Sequence, residues 1–216
     1  MKSLLKTLDS AIGDIYAIDT RLQAQDFLLK PHAFKETGAL IVQTAADAQG
    51  RSEVEVGIVF HPKIAQDLKS AETLDFSHWS PAQLQAFAVA AEEISHFRYF
   101  IFNAERDRAV SQLELEFQGE IDKFLLFFFL TIPEGSNQTG TFDQLFTWLF
   151  EQFSLVEGLN SEQVKRYGEA NQFAREFIQK HRADFRSPQA ITNLLDKLRA
   201  LYRMSSTEKF SLRHRL

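Results

Sequence analysis

The sequence predicts a mostly helical α+β protein: an N-terminal helix, a β-hairpin, then about five helices, packed as one globular domain over residues 1–216. Three observations predict it. Apolar residues recur at spacings of three and four through most of the chain, one segment alternates strictly, and helix-start signals precede the long apolar runs. With 44% hydrophobic residues and 21 phenylalanines, the chain carries ample material for a core.

Taken in order, Leu5, Leu8, Ile12, Ile15 and Leu22 describe an amphipathic helix running to about residue 29, ahead of Pro31. In "GALIVQTAADAQGRSEVEVGIVF" two strand-like runs flank a polar loop. Val54, Val56, Ile58 and Phe60 alternate with Glu53, Glu55 and Gly57, which reads as a hairpin with one wet face. Ser80-Pro81-Ala82-Gln83 joins an N-cap, a proline at the first helical position and a capping-box glutamine, and Ser111-Gln112-Leu113-Glu114 is a second box. Helices are therefore predicted over about 81–104 and 112–131, forming with the hairpin a unit over 38–131. Beyond "PEGSNQTG", Thr141 with Gln144 opens a helix to about Gly158, Asn160 or Ser161 one to about Ala183, and Ser187-Pro188 a last one to about Tyr202, a C-terminal set over 141–204. The basic end "KFSLRHRL" reads as a solvated tail.

Composition excludes several functions. With 29 acidic and 24 basic residues the net charge is -5, and no Lys/Arg stripe is available to neutralise phosphates, so nucleic acid is not expected as a partner. Zero cysteines leave only His, Asp and Glu to hold a metal. The most apolar run, "FLLFFFLTI", is about half the length a membrane span needs, and "MKSLLKTLDSAIGD" has no signal-peptide core, so a cytoplasmic location is the expectation. Neither a phosphate-binding glycine loop nor a nucleophile elbow occurs.

One stretch carries chemistry. "AEEISHFRYF" puts Glu92, Glu93 and His96 in a strongly apolar helix. At about 100° per residue, Glu92, His96, Tyr99 and Asn103 fall within about 60° of one another, while Glu93 points among Phe97 and Phe100. Residues at i and i+4 on a helix can hold one metal, and a carboxylate can serve as a zinc ligand. On the following helix Glu116 and Glu120 stack at i and i+4 beside Lys123, a repulsive pair unless a cation sits between them. That cation is a metal, or one of Lys123, Arg98 and Arg108. Tyr167, Asn171 and Arg175 share a later helix face and can clamp onto the site.

"EEISH" has the spacing of the HExxH motif with Glu92 in the first position, and Glu116 lies twenty residues after His96, where gluzincin metallopeptidases carry a third ligand on the next helix. Residues 38–131 thus resemble a gluzincin core. The resemblance implies that Glu92, His96 and Glu116 hold one divalent metal (zinc, iron or manganese), with Glu93 as general base for hydrolysis of a peptide bond. Tyr99, Asn103, Glu120, Lys123 and Asn171 would support them. The missing first histidine is the departure from the pattern. Glu93-Ile94-Ser95-His96 also matches half of the paired motif of di-iron bundles. "EEISHF", "SQLELEFQGEIDKF" and "LRALYRM" resemble a bacterial protein family, which implies a shared fold and no activity. The other reading is a non-enzymatic binding or regulatory module in which the Glu/His cluster is structural, with a peptide or protein partner docking on an exposed Phe-rich patch over Phe142–Phe153.

Overall fold

Helix α1 (Lys2–Tyr16) buries Leu4, Leu5, Leu8, Ile12 and Ile15 along one stripe in the computed structural model, which describes residues 1–18, 21–33, 36–46, 52–70, 76–131, 138–155 and 158–211. It ends well short of residue 29. Ala17 turns left-handed at φ 49°, with its N–H donating to the Asp14 carbonyl and that of Ile18 to the Gly13 carbonyl, a Schellman closure. The chain then folds back. The Asp9 carboxylate accepts the Ala24 N–H at 2.8 Å, and Leu28 pairs in parallel with Ile58. Leu22, on the predicted apolar stripe, is exposed as a result.

Strands β1 (Gly38–Ala46) and β2 (Ser52–Phe60) form the expected antiparallel hairpin, with Gly38 opposite Phe60 and Ala46 opposite Ser52. Its base is covered on both faces: Ile58, Val59 and Phe60 are all buried, and Leu29 lies where a Cβ on Gly57 would stand. Toward the tip both faces are open: Glu53, Val54 and Glu55 are all exposed, so the expected alternation is not seen as a burial pattern.

Helix α2 (Pro62–Ser70) follows directly and was not expected. Its signals were Pro62 at the first helical position and the i, i+4 pair Ile64 and Leu68, both buried. His61 accepts the Lys63 N–H at its start.

The capping boxes do what their chemistry requires. Ser80 and Gln83 exchange bonds at the start of α3 (Pro81–Ala104), and Ser111 and Glu114 do so at α4 (Gln112–Thr131). After α5 (Gln138–Phe146) the helix predicted to reach Gly158 loosens into a π-helical turn at Thr147–Glu151. Helices α6 (Ser161–Lys180) and α7 (Pro188–Arg203) start at Asn160 and Ser187 caps.

The basic end departs from the expected tail. Ser206–Ser211 form a short helix, α8, whose Lys209 is buried; residues 212–216 lie outside the described set.

Helix α3 packs on α4, α2, α1 and β1, and α4 packs on α6 and α5. These two central helices are buried nearly all round, so most of their polar residues face other protein rather than water. Phe124, Phe128, Phe142 and Phe185 pack ring to ring. Phe142, Phe146 and Phe150 are therefore core, which overturns the exposed Phe-rich patch.

Candidate metal centre

Two α3 residues and one α4 residue form the centre. Glu92, His96 and Glu116 each present one ligand atom, and the three atoms lie within 4.8 Å of one another. The approach depends on Gly119: a Cβ there would stand 2.9 Å from His96 Nε2 and 3.2 Å from Glu92 Cγ. Any side chain at that position of α4 would push into the imidazole.

The ring nitrogens of His96 face different carboxylates. Nε2 lies 3.6 Å from Glu116 Oε2, and Nδ1 lies 3.5 Å from Glu93 Oε2, both longer than a hydrogen bond. Among the described residues Nε2 is buried with no hydrogen-bond partner. Two ligand atoms each about 2.1 Å from one tetrahedral ion stand about 3.4 Å apart, so the gap between Nε2 and Glu116 Oε2 is close to a metal's bite. Glu93 is wedged against β1: a Cβ on Gly38 would meet its Cγ at 2.8 Å, and the Leu40 N–H bonds its carboxylate.

A second tier surrounds these groups. Lys123 donates to Glu120 at 2.8 Å and pairs with Glu92 at 2.9 Å. Asn171 on α6 donates toward Glu120 and the Leu149 carbonyl, each at 3.3 Å. Arg166 Nε lies 3.4 Å from Glu116 Oε1.

Burial disfavours every charge here, and neighbours decide the outcome. Burial raises Glu116 to about 7 against the pull of His96 and Arg166, and it raises Glu93 and Glu120 as well. For Glu92 burial is outweighed by Lys123 and His96, and its pKa falls. Burial opposes the His96 cation too, but Glu93, Glu116 and Glu92 raise it to about 9. The cluster thus calls for positive charge at the imidazole, which a proton or a metal can supply.

The remaining expected residues divide. Glu120, Lys123 and Asn171 join the cluster as described. Tyr99 and Asn103 belong to another network: Tyr99 donates to Glu114 at 3.3 Å and accepts from Lys209, while the Asn103 amide bonds the Tyr99 carbonyl. They share the helix face with Glu92 and His96, yet lie three to eleven residues further along α3, toward its far end. Arg98 is taken by Asp9 and Arg108 by the Arg203 carbonyl, which leaves Lys123 as the amine among the carboxylates. Arg175 pairs with Glu151 at the surface.

Arg166 and Gly119 were missed. The Gly-Glu step inside an apolar helix, with Gly119 three residues after Glu116, was the available signal. Arg166 gave none, because its contact depends on how α6 crosses α4.

Among the described residues no helix is long and apolar enough to cross a membrane. Comparison with protein-family models, curated proteins and solved structures gives no match.

Proposed function

We propose that this protein binds one divalent metal ion through Glu92, His96 and Glu116, and that the ion braces α3 against α4 in a non-enzymatic binding or regulatory module. The observation that carries this reading is the buried His96 Nε2, which among the described residues has no hydrogen-bond partner and faces two carboxylates. A buried polar atom without a partner costs free energy that a ligand to that atom recovers. One nitrogen and two carboxylate oxygens suit zinc, iron or manganese.

Glu93 then acts as the carboxylate that orients the ring. It lies on the Nδ1 side of the imidazole, whereas a base for metal-bound water has to reach the ion beyond Nε2. Gluzincin-type peptide hydrolysis also needs an open coordination position with substrate access, and His96, Glu93 and Glu116 are all buried. A groove of about 540 Å³ lies elsewhere, between α5 and α6, lined by residues including Asp143, Glu151, Arg175 and Arg182. These facts favour metal retention over turnover.

Elemental analysis of untagged protein purified without chelator tests the reading, alongside His96→Ala and Glu116→Gln. We expect close to one equivalent of zinc, iron or manganese in the wild type and a large loss in both variants. Wild-type protein that is metal-free and takes up none on dialysis against these ions would overturn it.

A further inference from the structure

We propose that the Lys123 ammonium occupies the position of a second divalent ion, so that the acidic cluster is built for one exchangeable metal and one resident lysine cation. This rests on the reading of Glu92, His96 and Glu116 as a metal centre and adds its nuclearity.

The geometry is that of a carboxylate-bridged pair of cations. Glu92 belongs to the metal set and at the same time places Oε2 at 2.9 Å from Lys123 Nζ. On its other side Nζ meets Glu120 Oε1 at 2.8 Å. Glu120 Oε2 is held by the Asn171 amide, which also reaches the Leu149 carbonyl. The lysine is thus enclosed by two carboxylates, of which Glu120 is held in place by Asn171. Its side chain is only 12% exposed.

In two-metal sites a shared carboxylate joins two ions about 4 Å apart. Here one of the two cation positions is filled by a group covalently tied to α4. An ammonium carries one charge on a compact head with three donors, enough to hold Glu92 and Glu120 together. Unlike a metal, it cannot be chelated or exchanged. Glu92 is therefore aimed before any metal arrives, at the cost of dinuclear chemistry.

Metal counting after loading with Mn²⁺, and in parallel with Zn²⁺, tests this in the full-length protein, with anomalous diffraction to place each ion. We expect one ion per chain in the wild type. In Lys123→Met, which keeps much of the side chain's length and removes its charge, we expect two, the second between Glu92 and Glu120. One ion or none in a folded Lys123→Met beside a singly loaded wild type overturns the inference, as does a wild type that takes two. A wild type that takes neither metal instead overturns the metal centre itself. Should Lys123→Met not fold, Glu120→Gln decides: retention of one ion is expected, and its loss would make Glu120 a ligand of the first ion and refute Lys123 as a separate cation.

Discussion

His96 has two ring nitrogens that face different carboxylates, Glu93 on the Nδ1 side and Glu116 on the Nε2 side. With its carboxylate bonded by the Leu40 N–H and packed against Gly38, Glu93 faces Nδ1, and in the proposed centre it keeps the proton there once an ion replaces the Nε2 proton that His96, raised to about 9, carries at neutral pH. Replacing Glu93 with Gln keeps the shape and removes the charge. We expect Glu93→Gln to retain one metal equivalent with affinity reduced about 10- to 100-fold, measured by competition with a chelator of known strength. Unchanged affinity would remove Glu93 from its orienting role. The i, i+4 spacing of Glu92 and His96 was readable from the sequence because helix periodicity is a local property. Which side of the imidazole Glu93 takes was not, because it depends on where β1 lies.

At the level of elements, the seam between α3 and α4 depends on Gly119, and the end of the chain depends on Lys209. Helix α8 inserts Lys209 against the Tyr99 ring, 4.1 Å from its centroid, with the ammonium on the Tyr99 hydroxyl. Burial lowers its pKa from 10.5 to about 7, opposed by Glu114 and Asp122 and reinforced by Arg108. Between pH 7 and 10.5 the unfolded chain holds a proton that the folded one has released, so stability rises across this window and the contribution is lost as pH falls through about 7. In urea melts at several pH values, wild type should gain on Lys209→Met between about pH 7 and 10.5, with the difference constant below that range. A flat difference throughout would place Lys209 in water. The basic composition of "KFSLRHRL" suggested a tail, because a charge pattern does not reveal that aromatic rings wait to cover one lysine.

Across the whole molecule, the buried pair of Asp9 and Arg98 joins the N-terminal segment to the centre. Arg98 on α3 donates to both oxygens of Asp9 on α1, and the same carboxylate holds the Ala24 N–H where the chain folds back toward β2. Removing one partner leaves the other charge buried and unpaired, which costs about 3–5 kcal/mol. Asp9→Ala should lose that amount in a urea melt. Asp9→Ala with Arg98→Met should recover much of it, since the uncompensated charge is gone. A single variant within about 0.5 kcal/mol of wild type, the range usual for surface changes, would show that the pair is not a strut.

What the sequence determined by itself was local: the mostly helical α+β class, the hairpin, the capped starts of α3, α4, α6 and α7, and the shared face of Glu92 and His96. Each follows from backbone geometry and side-chain bonds spanning a few residues. Tertiary structure decided where α1 stops, that Phe142, Phe146 and Phe150 lie in the core, and that Tyr99 and Asn103 serve another network. It also decided that Lys123, rather than Arg98 or Arg108, meets the carboxylates. Those outcomes turn on contacts between residues tens of positions apart, such as Asp9 with Arg98 or Glu120 with Asn171. No local pattern encodes which helix faces which, because that choice is made by the burial of apolar surface over the whole chain.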